Sequence, residues 1–528
     1  MVIKEPISEE TPLLNNSDNN ANNNESCCAS KACCSSNPTS ACCSSMPDQP
    51  CLPTRKDDDD YCHLAEQPWE YKMVALACAL FLAVGSHFAA HTLGAMKSKL
   101  KEEFGISNAQ YGAIQSSVAI VNTVLPVLGG IFIDAFGTIA GSILTTVLIT
   151  SGNVMVAIST SNASLMTMII GRILYGIGSG SVVIVQETIL SQWFRGRSLA
   201  VVVALMLTVS RLASFSAQAT VVPIARWTGW WGYAFWFSAS LCIFSLFVNF
   251  VYIALLRSVS KPGVACKKQL EVLKRKKSFK WGKLLYLPHS YWLIAIMEFL
   301  LGGGWGCFLH INSEFVKFRF GYDDGHAAAI ASLAQIMPVF LMPVLGMCID
   351  RYGKRTWMMI GSGACFLFSM LLLNYTKLMP VFGMLLFSVS LSLGPVGLVS
   401  AVPVILPLSL VGTGMGLIKS STNIGAALFD IATGLLQDHD QHKGYTGVIL
   451  FFIALSVLAV VAGVVLCVLD RKIYRNLLDR AARDAWNDEE PKMLSTSEPQ
   501  LVMANYIYGG IYLALAVLSW VLFIRFLF

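Results

Sequence analysis

The sequence predicts an all-α protein that crosses a membrane many times, built as two pseudo-symmetric six-helix bundles with a thirteenth helix at the carboxyl end. Composition is the first observation behind this. The 528 residues are 55% hydrophobic and only 13% charged, against about 25% charged in a soluble domain, and mean hydropathy is +0.60. The second is run length: apolar stretches of the roughly 20 residues that a helix needs to cross a bilayer core recur from residue 71 onward. The third is an echo between the two halves of the chain.

Residues 1–68 are rich in Asn, Ser, Cys, Pro and Asp and carry the run Asp57–Asp60. Such a segment buries too little apolar surface to offset its ordering entropy, so it is expected to be disordered. It has no apolar core of a cleavable signal peptide. Eight of the 15 cysteines lie here, among them the pairs Cys27-Cys28, Cys33-Cys34 and Cys42-Cys43. On the cytosolic side such pairs suit S-acylation or a soft metal, but the reading preferred here is an unstructured low-complexity tail; no histidines stand at zinc-finger spacing. Glu9, four residues before Leu13 and Leu14, resembles the acidic dileucine signal that endolysosomal sorting adaptors read.

Six apolar spans follow near 71–95, 110–133, 139–159, 164–190, 199–222 and 233–256, forming an N-terminal bundle over 69–256. A basic linker at 257–290 sets ten Lys or Arg against the single acid Glu271. Six more spans, near 291–313, 327–349, 356–374, 379–403, 410–436 and 445–469, form a second bundle over 291–470. A polar tail at 471–503 leads to a last apolar run at 504–528. Short loops with excess Lys and Arg stay cytosolic. Arg195 and Arg197, the linker, Arg351 with Lys354 and Arg355, and Arg471 with Lys472 all fall on one side, which is therefore cytosolic together with the amino terminus. Lys97, Lys99 and Lys101 on the other side break the pattern. The net charge of +6 lies in loops between spans and builds no separate basic domain, which excludes nucleic acid as a partner.

Ionisable groups inside spans are expensive in lipid and face a cavity or a partner. Arg211, about thirteen residues into span 5, reaches the midplane, where a guanidinium can hold a carboxylate or phosphate through two parallel hydrogen bonds. Lys419 in span 11 either extends that anion site or snorkels to the cytosol. His87 and His91, one turn apart in span 1, line the cavity as polar groups, with pH sensing as the other reading. Glu187 and Glu298, near the cytosolic ends of spans 4 and 7, suit proton coupling or a gate. Arg172 in span 4 belongs with that gate or braces helices. Asp430, Asp438, His439, Asp440 and His442 read as a solvated cluster at the end of span 11. No cofactor is implied: Gly302-Gly303-Gly304 lies inside an apolar helix without a following Lys-Ser/Thr, and suggests a flexible gate.

Span 2 ends in Pro-Val-Leu-Gly at 126–129, then Ile133-Asp134 and Gly137; span 8 ends in the same four residues at 343–346, then Ile349-Asp350 and Gly353. Two such copies at matching places resemble the signature of the major facilitator superfamily. The resemblance covers residues 71–470 and implies a cytosolic gate motif at Gly130, Asp134, Gly137, Gly346, Asp350, Arg351, Gly353 and Lys354. The first copy departs from the pattern, with Ala135 and Thr138 where basic residues are usual. Gly85-Ser86-His87-Phe88, Gly171-Arg172, Trp193-Phe194-Arg195-Gly196, Ser210-Arg211, Phe320-Gly321-Tyr322 and Asn423-Ile424-Gly425 resemble, more narrowly, the lysosomal dipeptide uniporter branch. That resemblance implies an endolysosomal or vacuolar membrane, with the plasma membrane as the alternative, and an accessory membrane glycoprotein as a partner. Gly180 and His91 stand where the branch has acids, and Lys419 and Glu187 where it has amides, so its cargo does not carry over unchanged.

The expectation is a transporter, not an enzyme, that moves a small polar organic solute between two rocking bundles. Dipeptide-like cargo comes first by resemblance and a small organic anion second by charge, with coupling to protons and facilitated diffusion both open. A receptor or scaffold that no longer transports is the reading of a different class, motivated by the cysteine-rich tail and the thirteenth span.

Overall fold

The structure, a computed structural model, describes residue 64 and residues 67–194, 197–259, 287–406, 408–440, 444–474, 476–481 and 504–527, without the side chains of 126–137, 197–200, 350, 408–413 and 527. Glu9, Leu13, Leu14, the eight tail cysteines and most of the basic linker lie outside these residues.

Among the described residues every regular element is helical. The first span is two pieces, α1 (Trp69–Phe81) and α2 (Val84–Ala95), followed by the short α3 (Lys97–Phe104), which stops at Gly105 with φ 61°. α4 (Asn108–Val121) starts at a reciprocal cap: Gln110 N–H donates to Ser107 Oγ at 3.1 Å and Ser107 N–H to Gln110 Oε1 at 3.0 Å. α5 (Leu125–Asn162), α6 (Leu165–Trp193), α7 (Arg197–Thr228) and α8 (Gly232–Val259) complete the first half. In the second half α9 (His289–Met297), a π-helical turn (Glu298–Gly302) and α10 (Gly303–Phe320) make one span. α11 (Asp324–Ser332), a tight turn and α12 (Ile336–Tyr352) make the next, and α13 (Arg355–Tyr375), α14 (Pro380–Ile405), α15 (Leu408–His439) and α16 (Thr446–Lys472) follow. The last helix, α17 (Asn505–Leu527), is the expected thirteenth.

Eleven stretches of the described residues are long and apolar enough to cross a membrane. The second and eleventh expected spans are not among them; the eleventh is nevertheless one long helix, α15, and the second is short because the chain breaks at Asn122–Val124, ahead of Pro126, and not at 134–138. Proline lacks the N–H a continuing helix needs but sits readily in a first turn. From there α5 runs unbroken through the backbone of Gly130, Asp134 and Gly137, so the expected turn in the first gate motif is absent.

Two six-helix bundles result. α5 packs on α6 and α8, and α2 on α7 and α8; in the other bundle α13 packs on α14 and α16. The bundles meet where α4 lies along α15, α2 meets α10, and α7 meets α11 and α12. The α4–α15 seam is close enough to need glycine on both sides: a Cβ at Gly112 would strike the Asp430 carbonyl, and one at Gly434 the Asn108 carbonyl.

Candidate solute site between the bundles

His87 and His91 project from α2, the helix that touches both α7 and α10, and Arg211 comes from the middle of α7. His91 lies within electrostatic reach of Arg211, His87, Arg172 and His310, so these basic groups converge on one region. Arg211 is half-buried and, among the described residues, makes no ion pair or hydrogen bond. His87 Nε2 and His91 Nδ1 are buried without a partner as well. A desolvated guanidinium without a protein carboxylate, beside two unsatisfied imidazoles, is suited to receive an anionic group from outside the protein.

Arg172 is differently placed. It is 4% exposed, donates from Nη2 to Gln115 Oε1 at 2.8 Å and lies over the Tyr175 ring. Gln115 Nε2 donates to the Tyr111 hydroxyl at 2.8 Å, and that hydroxyl donates to the His310 carbonyl at 2.9 Å. His310 Nδ1 in turn lies 2.9 Å from Asp430 Oδ1. The chain α6–α4–α10–α15 thus ties the bundles together with buried polar groups, and Arg172 braces. Asp430 is 3% exposed and paired, which corrects its reading as a solvated residue: it faces inward from α15, more than two turns before the helix ends.

Glu187, Lys419 and Glu298 form a second group, about 16 Å along α15 from Asp430 at 1.5 Å per residue. Lys419 is within electrostatic reach of both Glu187 and Glu298. Glu187 (α6) and Lys419 (α15) are exposed and lie within electrostatic reach of each other from opposite bundles. Glu298 is buried in the π turn; Oε1 accepts from Thr422 Oγ1 at 3.2 Å and Oε2 has no partner. Such turns recur at functional places. The glycines beside it serve close approach: a Cβ at Gly303 would come within 2.7 Å of the Gly425 backbone.

At the end where α2, α10 and α15 finish, the bundles are sealed. Lys97 Nζ lies 2.7 Å from Glu314 Oε2, both side chains 2% exposed, and Lys101 Nζ reaches Glu314 Oε1 at 3.2 Å. Lys97 also donates to Gln437 Oε1 at 2.9 Å and to the Tyr445 hydroxyl at 3.1 Å, and that hydroxyl donates to Glu314. Burial pulls the Lys97 ammonium below its ordinary range, and the Glu314 carboxylate opposes this. Asp438 caps α4 across the same seam, accepting from Asn108 N–H at 3.0 Å and Ala109 N–H at 2.7 Å, so it too is structural and not solvated. Further out, Arg226 of the first bundle pairs with Asp323 of the second at 2.5 Å.

The family model of the Major Facilitator Superfamily matches residues 76–429 and 294–528. The chain belongs to that superfamily. It is accordingly a multi-pass membrane transporter and not an enzyme. Among curated relatives, the lysosomal dipeptide transporter MFSD1 of Danio rerio is 27% identical over 423 residues, covering 76% of this chain and 87% of its own. The protein of the same name from Homo sapiens is 26% identical over 424 residues, covering 77% and 88%. Among solved structures, the peptide transporter POT in complex with sulfate superposes with a TM-score of 0.59 at 15% identity, over 77% of this chain and 96% of that one. A D-xylose-proton symporter gives 0.57 at 14% identity, over 74% and 96%. At such identities the structures speak for the fold alone.

Of the two superfamily gate motifs, the second is fully formed in backbone. Gly346, Asp350 and Arg351 close α12, and Gly353 (φ 68°) and Lys354 (φ 54°) make a left-handed turn into α13. Residues after α16 hold that turn. Lys354 N–H donates to the Asp479 carbonyl at 3.1 Å, Thr356 Oγ1 donates to the Asp479 carboxylate at 2.7 Å, and Arg355 Nη1 donates to the Leu478 and Arg480 carbonyls, each at 3.1 Å. These hydrogen bonds run to the segment that follows α16 and not to the first bundle. The side chains of the first copy's Gly130, Asp134 and Gly137 lie outside the described residues.

Sequence reasoning did not find His310, Glu314, Gln437 and Tyr445. The lysines after span 1, which break the loop-charge pattern, were the available signal: a cation there needs a buried acid, and Glu314 is that acid. Gly180 also gains a reason. The Asn122 amide oxygen, delivered by the break after α4, sits where a Cβ at 180 would be.

Proposed function

We propose that this transporter carries a small solute with a carboxylate, dipeptide-like or amino-acid-like, between its two bundles, and that Arg211 binds that carboxylate. The single observation behind this is the unpaired Arg211 guanidinium between the bundles, beside the unsatisfied His87 and His91. The relatives named as lysosomal dipeptide transporters support the cargo class and an endolysosomal membrane. The loop charges support an orientation with the sealed Lys97 end facing the lumen and the Arg351 end the cytosol. Lys419, placed between Glu187 and Glu298, acts as the gate on the opposite side, and the solute passes as the bundles rock.

A small organic anion is the second reading. It is favoured by the charge in that region: Asp430, the carboxylate within electrostatic reach of Arg172, is engaged by His310, which leaves little to hold an ammonium. Uptake into proteoliposomes of a dipeptide library and an organic-acid panel, at two internal pH values, separates the two. Arg211→Ala is expected to abolish uptake of the accepted class while expression and thermal stability persist; uptake unchanged in that variant would refute the assignment.

A further inference from the structure

We propose that α17 is a strap across the seam between the bundles, holding them in the state closed at the Lys97 end. The helix is mostly exposed to its surroundings, yet its polar side chains reach both bundles. At its start, Asn505 is 2% exposed and accepts a hydrogen bond from Trp292 Nε1 at 2.8 Å, which pins it to the second bundle. About two turns further on, the Tyr512 hydroxyl donates to the Leu417 carbonyl of α15 at 3.5 Å. Two turns beyond, Trp520 Nε1 lies 3.4 Å from Thr123 Oγ1, in the break between α4 and α5 of the first bundle.

Thr123 is where these contacts meet. The break frees its carbonyl from helix pairing, and Ser420 Oγ donates to it at 2.5 Å. A buried carbonyl left without a donor costs free energy, so α4 and α15 are held together at this point. Any motion that parts α4 from α15 must carry α17 with one of them. Because Asn505 and Tyr512 anchor it to the second bundle, the Trp520–Thr123 contact is the one that breaks. The strap is separate from the solute site: none of its residues adjoins Arg211, His87 or His91 in the contacts above.

The inference rests on the rocking motion proposed above, and the test separates the two. Nitroxide labels on non-canonical residues at Gln110 and Lys377, which are exposed on opposite bundles at the Lys97 end, report the distance between bundles by pulsed dipolar spectroscopy in the full chain. Trp520→Phe keeps the ring and removes the donor; Tyr512→Phe removes the hydroxyl. Trp520→Phe is expected to raise the long-distance population roughly threefold, within the range of one net hydrogen bond, with thermal unfolding little changed; Tyr512→Phe, whose contact is kept in both states, is expected to leave the ratio at the wild-type value. Two populations whose ratio is the same in wild type and Trp520→Phe would overturn the strap and leave the rocking intact. A single short distance in all three proteins would overturn both, and a shift toward the short distance would overturn the strap's direction.

Discussion

Glu314→Gln isolates the charge that seals the Lys97 end. In the wild type the carboxylate faces Lys97 at 2.7 Å and Lys101 at 3.2 Å, and the Lys97 and Glu314 side chains are each 2% exposed. The amide keeps the volume and removes the charge, so the Lys97 ammonium stays buried with only Gln437, Tyr445 and a neutral amide around it. Removing one partner of a buried pair costs about 3–5 kcal/mol, most of it the desolvation of the charge left behind. In the state open at this end water reaches both groups, so nearly all of that cost falls on the closed state. At 1.4 kcal/mol per factor of ten, the open-to-closed ratio should rise roughly 10²- to 10³-fold. The label pair at Gln110 and Lys377 reads this ratio directly. Replacing both members by apolar side chains, Lys97→Met with Glu314→Leu, should recover much of the closed population, because no charge is then stranded. A closed population unchanged in Glu314→Gln, or a double variant more open than the single one, would refute the claim that this pair closes the end.

Three further outcomes follow from the geometry. Arg211→Lys should fail to restore uptake, since an ammonium cannot offer the two parallel donors of a guanidinium; wild-type KM in that variant would argue against bidentate binding. Gly180→Asp should displace Asn122 and change the cargo profile in the dipeptide and organic-acid panels, because the new side chain takes the place of the amide oxygen; an unchanged profile would show that this wall does not touch cargo. The outer Arg226–Asp323 pair should be insensitive to lumenal acidity. His326 and Arg226 hold the Asp323 carboxyl below its ordinary 3.8, so its contribution is present above that value and fades only as pH falls through the lowered one. In a His326→Gln background, where Arg226 is the remaining charged partner, the stability difference made by Asp323→Asn should be flat from pH 7 to 5 and shrink only below about pH 4; a difference that vanished by pH 5 would contradict this.

What could be read from the sequence divides along a physical line. Arg211, His87 and His91 stand out because a polar group in an apolar run is costly wherever the run packs, so one dimension suffices to flag it. Asp430 and Asp438 were indistinguishable from solvated residues, because toward the end of a span the same side chain can reach water or a partner, and only the other bundle decides which; Lys97 was marked only by breaking the loop-charge pattern. The break at Asn122–Val124 was hidden for a related reason: the apolar run continues through it, and Pro126 is compatible with either a kink or a fresh start. These hidden residues are also the ones that constrain cargo. Two described carboxylates that could have met a substrate's ammonium are engaged, Asp430 by His310 and Glu314 by Lys97 and Lys101, and Gly180 removes a third position. Glu187 and Glu298 remain, but they lie toward the far end of the bundles, beside Lys419. A solute held by Arg211 must therefore either extend well away from it toward those carboxylates or carry no cation at all. Uptake that rises with the length of the solute between its carboxylate and its amino group would place the amino group toward Glu187 or Glu298; equal uptake of a monocarboxylate would place no cation there.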